Sequence, residues 1–127
     1  MNSKPIWQMS AADTAAKIRA KELSAVDAVG AAIDRMGAVN DSVNAVSLSL
    51  ADAAMAAAEH ADTLVANGSP LGPLHGVPVT IKENIDQEGI ANTNGLPAFA
   101  EQIVPADSPV SRNLKNSGAI VIGRTNT

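Results

Sequence analysis

Lys82 is the residue of this sequence best placed to do chemistry. It closes a run in which Val77, Val79 and Ile81 alternate with Pro78, Thr80 and Lys82, the period of a strand with one apolar face. The C-terminal ends of strands are where open α/β sheets bind their ligands. Glu83, Asn84 and Asp86 follow directly and make a polar cluster. A lysine acts as a general base only when neutral, which requires burial or nearby cations. The sequence neighbours here are acidic and act in the opposite direction. From residue type and spacing alone, Lys82 reads as an exposed lysine paired with a carboxylate, because lysine is rarely fully buried.

Other candidates carry less. His60 falls on the solvated face of an alanine-rich segment, and His75 sits in a turn between Pro73 and Gly76. Neither has a partner at ligand spacing, so neither makes a metal site. Ser108 and Ser111 lie at a helix start and read as capping residues. The glycines match neither a P-loop nor a dinucleotide fingerprint, and no Gly-x-Ser-x-Gly elbow is present. There are no cysteines, hence no disulfide and no thiolate site. That fits a cytoplasmic protein.

Composition narrows the partners. Net charge is −4, no basic patch is visible, and one Trp and one Phe are the only aromatics, which argues against nucleic acid. No stretch of about 18 apolar residues exists to span a membrane. The N-terminus, from Met1 to Trp7, has no apolar run of the kind a secretory signal needs.

The elements that must position Lys82 divide the chain in two. Residues 1–70 read as mainly helical. Ser10 caps a helix from Ala11, with Ala11, Ala15 and Ile18 on one face. Ser24 opens a second helix whose stripe is Val26, Val29, Ile33 and Met36, with Gly37 and Asn40 as stops. A short strand over 43–50 precedes a helix over 51–66, where alanine supplies the highest helix propensity. Residues 71–127 read as strand, loop, helix and strand. The strand ending at Lys82 holds Pro78, which argues for a sheet edge or a strand start. Residues 83–107 show no period and read as a long structured loop. Ser108 and Pro109 open a short helix, Gly118 ends it, and Ala119-Ile120-Val121-Ile122 has the pattern of a strand buried on both faces.

Two features suggest an incomplete folding unit. The apolar fraction is 46%, but much of it is alanine, and a single Phe and a single Trp leave few large side chains for a core. The buried strand also lies near the end of the sequence, with little chain after it to supply neighbours.

The second half of the sequence resembles the amidase-signature family. The resemblance rests on Gly72-Pro73-Leu74-His75-Gly76-Val77-Pro78-Val79-Thr80-Ile81-Lys82-Glu83-Asn84-Ile85-Asp86. It rests also on Asp107-Ser108-Pro109-Val110 and on Gly118-Ala119-Ile120-Val121-Ile122-Gly123-Arg124-Thr125-Asn126. The family has a Pro-Leu-x-Gly-(Val/Ile)-Pro segment running into Ile-Lys-(Asp/Glu)-Asn, then Gly-Ala-x-(Ile/Val)-x-Gly-(Lys/Arg)-Thr-Asn. The resemblance implies an α/β fold with a mixed sheet flanked by helices, of which residues 1–127 form the N-terminal portion of a single amidase domain. It implies a Ser–cis-Ser–Lys triad with Lys82 as the general base, which reverses the plain reading of that residue. Asn84 and Asp86 would be scaffold of the lysine loop, and Thr125 and Asn126 would support the neighbouring strand end.

The family's two serines sit in a Gly-Gly-Ser-Ser-Gly-Gly-type segment that this sequence does not contain. The implied activity is hydrolysis of a carboxylic amide to an acid and ammonia, without cofactor or metal, and inactive in these residues alone. The expected partners are a small-molecule amide and either the remaining C-terminal part or a second copy of the chain. Two other readings are a glutamine-hydrolysing subunit of a tRNA-dependent amidotransferase and a non-catalytic binding or assembly module.

Overall fold

The computed structural model describes residues 4–127; residues 1–3, where the reading of the N-terminus begins, lie outside it. Three serines start three helices as their positions predict. Ser10 accepts from the Asp13 amide at the head of α1 (Ala11–Arg19). Ser24 does the same for Asp27 in α2 (Ala25–Val43). Ser108 accepts from the Ser111 amide in α4 (Pro109–Asn116), where Pro109 takes the first helical position. The alanine-rich α3 (Ala51–Ala66) has no side-chain cap. Its start is tied instead to the sheet, by the Leu50 amide donating to Ile122 at 2.9 Å.

α2 outruns its expected stops. It passes through Gly37 and Asn40 to Val43 and ends at Asn44, whose left-handed φ of 49° forms the C-cap. Asn40 ties down the turn that follows rather than ending the helix. Its side chain accepts from the amides of Ala45 and Val46 and donates to the Val46 carbonyl. That turn delivers β1 (Val46–Ser49).

The sheet is mixed and three-stranded, in the order β1-β3-β2. β2 (Pro78–Lys82) runs parallel to β3 (Ile120–Thr125), and β1 runs antiparallel to it. β2 is an edge strand and Pro78 is its first residue, the two placements that proline tolerates. The strand expected to lack neighbours has both, and both come from earlier in the chain. β3 is central because β1 and β2 flank it, so that sign of incompleteness is removed.

α2 and α3 pack on each other and against the sheet. The core joins Ile18, Val29, Ile120 and Ile122 to alanines at 25, 28, 54, 58 and 61. Ala54, Ala58 and Ala61 recur at helical spacing, and small side chains let the backbones approach closely. Ile18 and Val29 are fully buried, and truncating such a side chain costs about 2–5 kcal/mol. Ala15 joins Ile18 on the buried face of α1, but Thr14 takes the place expected of Ala11, which is exposed.

The entry to β2 is locked to the end of α4. The Leu74 amide donates to Ser117 and the Gly76 amide to Gly118. Gly118 has φ +92°, and a Cβ there would lie 2.7 Å from the Cα of His75. Only glycine fits that conformation and that approach. His75 is buried, with Nε2 2.9 Å from the Ala61 carbonyl, so it joins this turn to α3. Residues 83–107 form the expected long loop. It holds a 3-10 turn at Pro97–Phe99 and one bridge between Ala91 and Ile103.

Candidate active site

Lys82 is the last residue of β2, paired in register with Thr125 of β3. The parallel ladder continues one step past it, because the Glu83 amide donates to the Thr125 carbonyl at 2.8 Å. The chain then turns sharply, and the Ile85 amide returns to the Lys82 carbonyl at 3.0 Å. Backbone bonds on both sides therefore fix where the Lys82 side chain departs. That side chain is exposed, as residue type alone suggests. It is not paired with a carboxylate: the ion pairs among the described residues join Lys17 to Glu22 and Lys115 to Asp107.

The turn after Lys82 is held from beneath by Arg124 of β3. Its guanidinium donates to the carbonyls of Glu83 (2.9 Å) and Ile85 (2.8 Å) and to the side-chain oxygen of Gln87 (3.2 Å). Arg124 is 1% exposed and Gln87 is buried. Burial pulls the arginine pKa below its usual value, and the charges of Glu83 and Asp86 push it back up. The group stays protonated, as arginine does in proteins. Sequence reasoning assigned Arg124 no role of its own. The signal was there: a charge inside an apolar central strand must find partners, since an unpaired buried ion is costly.

The rest of the loop is wired to this turn. The Asp86 carboxylate accepts from the Asn92 side chain at 2.5 Å, and the Asp86 carbonyl accepts from the Ser108 amide and the Ser111 hydroxyl. Asn84 offers its carbonyl to the same Asn92 amide. Ser111 is fully buried, so it is more than a cap: it ties α4 to the lysine loop. Asp107 accepts from the Glu88 amide at 2.8 Å and pairs with Lys115 at 2.9 Å. The Glu88 amide, more than any other group, holds the Asp107 carboxyl below the ordinary aspartate range; Lys115 and Arg112 add to this and burial opposes it. On the far side of Lys82, the Asn126 amide donates to the Ala45 carbonyl and its side chain to that of Asn44.

A hollow of about 400 Å³ opens beside this turn. Leu48, Ile90, Ala91, Ala100 and Ile103 line it, with Glu83 and Arg124 as its charged residues. His60 is exposed on α3, and the His75 ring is held by the Ala61 carbonyl of the same helix. Among the described residues no three His, Asp or Glu side chains gather as they would to hold a metal ion. No described helix is long and apolar enough to cross a membrane.

Lys82 thus stands exposed at a strand terminus, on a turn braced by Arg124, and the residue after it, Glu83, lines the neighbouring hollow. Comparison with known proteins covers nearly the whole chain. The sequence profile of the family described as Amidase matches residues 27–127. The chain is 58% identical to an indoleacetamide hydrolase of Bradyrhizobium diazoefficiens, over 97% of its own length and 24% of that protein's. It is 36% identical to one subunit of the glutamyl-tRNA(Gln) amidotransferase of Carboxydothermus hydrogenoformans, over 95% of this chain and 25% of that one. Its fold superposes on a bacterial aryl acylamidase of the amidase-signature enzymes with a TM-score of 0.91 and 25% identity, over 98% of this chain and 26% of that structure. The chain thus spans about a quarter of the length of the relatives it matches.

Proposed function

Since the chain belongs to the amidase family, we propose that it is the lysine-bearing portion of an amide hydrolase that converts a primary carboxylic amide into an acid and ammonia. The observation that carries the reading is the 58% identity to an indoleacetamide hydrolase along 97% of this chain. It makes a primary amide of the arylacetamide type the first substrate to test. The apolar hollow beside the lysine turn suits the carbon skeleton of such a substrate.

In this reading Lys82, held neutral, is the general base. It takes a proton from a bridging serine, which takes one from the nucleophilic serine; both serines come from outside these 127 residues. The nucleophile's oxygen bonds to the amide carbon, and the C–N bond breaks as the proton passes to the departing ammonia. Water then hydrolyses the acyl-enzyme and frees the acid. A serine hydroxyl is a weak nucleophile at its free pKa and needs such a base. Catalysis would require Lys82 to be less exposed than it is in this chain, because burial is what keeps a lysine amine neutral.

A second reading has a specific support. The relatives include a glutamyl-tRNA(Gln) amidotransferase subunit, at 36% identity over 95% of the chain. The protein would then hydrolyse glutamine and work with other subunits. One assay separates the two: ammonia release by the full-length protein from indoleacetamide and from glutamine. Turnover of indoleacetamide that vanishes in Lys82→Arg supports the first reading. Turnover of glutamine alone, with further chains co-purifying, supports the second. Turnover of neither amide overturns both and favours a non-catalytic module.

A further inference from the structure

We infer that Arg124 is the positioning residue for Lys82, fixing the place of the amine by holding the turn that follows it. The inference rests on the reading of Lys82 as the base.

Arg124 stands one register step from Lys82: on β3 it pairs with Ile81, and Thr125 pairs with Lys82. Its guanidinium makes hydrogen bonds to three acceptors, which all belong to the five residues after Lys82. None is a carboxylate. A buried guanidinium used only for stability would be expected to sit against a carboxylate, since a buried ion without a counter-charge is destabilising. This one spends its donors on the carbonyls of Glu83 and Ile85 and on the Gln87 side chain. Its planar fork spans two carbonyls of one turn, which an ammonium cannot match.

The turn in question is bonded back to Lys82 through the Ile85 amide. Moving the Ile85 carbonyl therefore moves the Lys82 backbone. Glu83 and Asp86, the carboxylates nearest Lys82 in sequence, act electrostatically on the guanidinium.

The test uses the full-length protein and indoleacetamide, or glutamine if that is the amide it turns over. kcat, KM and the thermal midpoint are measured for Arg124→Met, Arg124→Lys and Lys82→Arg. A base displaced by about 1 Å loses on the order of a hundredfold in rate. Arg124→Met is therefore expected to lower kcat by about tenfold to a hundredfold, with KM within about threefold of wild type because substrate binding is intact. Arg124→Lys keeps the charge without the fork, and its kcat should fall between the two.

A kcat for Arg124→Met within about twofold of wild type overturns the inference, as does a loss carried wholly by KM. If Arg124→Met does not fold, Arg124→Lys decides: a lowered kcat at unchanged KM supports positioning, and an unchanged kcat overturns it. Lys82→Arg separates the layers. If it stays active, the base reading itself fails. If it is inactive while both Arg124 variants turn over normally, only the role of Arg124 fails.

Discussion

The carboxylate of Asp62, on α3, caps the first turn of α2 by accepting from the Ala25 amide at 2.7 Å and from Val26 at 3.1 Å. A helix start leaves backbone N–H groups without partners, and an anion there also meets the positive end of the helix dipole. Ser24 caps the same helix locally, so Asp62 is a second cap, supplied from a distant part of the chain. Asp62→Ala should cost about 1–2 kcal/mol in denaturant unfolding. Asp62→Asn, which keeps an acceptor, should cost less. Equal losses in the two would show that charge rather than hydrogen bonding dominates.

Gly118 allows a close backbone approach at the entry to β2. Its φ is +92°, and an added Cβ would meet the backbone of His75. Gly118→Ala should destabilise the chain by about 2 kcal/mol or more, from the strained conformation and the clash together. Gly37, on the exposed side of α2, has nothing within 4 Å of a built Cβ. Gly37→Ala should stabilise by about 0.5–1 kcal/mol. Thermal midpoints of the two variants should therefore move in opposite directions.

Asp107 supplies the acid-side pH dependence. Its pKa in the folded chain is depressed, first by the Glu88 amide. Its contribution is complete above the unfolded value of about 3.9 and is lost as pH falls through the lower folded value. Lys115 is 36% exposed, so solvent weakens the ion pair. Asp107→Asn should destabilise by about 0.5–1.5 kcal/mol at pH 7. The gap to wild type should close as pH drops below about 4. Unfolding at pH 7 and pH 3 measures it, and a constant gap would mean that the ionised form is not what matters.

Replacing Lys82 tests the chemistry directly. In the full-length protein Lys82→Arg should abolish turnover as fully as Lys82→Ala, because arginine stays protonated and cannot accept a proton. If Lys82→Arg keeps more than a few per cent of wild-type kcat, the residue acts by charge or packing instead. A polypeptide of these 127 residues alone should release no ammonia from any simple amide. Loss of triad members leaves only weak residual catalysis, and the serine segment is not among these residues.

Local signals were legible in the sequence wherever a single residue decides a local structure. Ser10, Ser24 and Ser108 marked three helix starts, and Pro78 marked an edge strand that begins there. The end of α2 was not legible, because Asn40 and Gly37 are ordinary stops and only the bonds from Asn40 to Ala45 and Val46 show that the helix continues to Asn44. Partner choice in the sheet was also hidden. The apolar run at Ala119–Ile122 says that a strand is buried, but not that its neighbours lie far back at Val46 and Pro78. Lys82 stood out by its place after an alternating run, and the resemblance to a family gave it a role. The charge of Arg124 in an apolar strand signals that it must find partners, but not that these are the carbonyls of the lysine turn, because a sequence does not say where carbonyls point.

Of the three strands described, the latest in sequence lies in the middle. On a ribosome, β1 and β2 emerge long before β3, yet neither can hydrogen-bond to the other in the native arrangement. Val46 waits for Thr125 and Pro78 for Ile120. At about 5–20 residues per second that wait lasts several seconds for β1, during which α2 and α3 can already pack on each other. The nascent chain therefore carries two unpartnered strand edges over a preformed helical layer. Arrival of β3 then joins β1 to β2 and seats the Arg124 guanidinium under the lysine turn together.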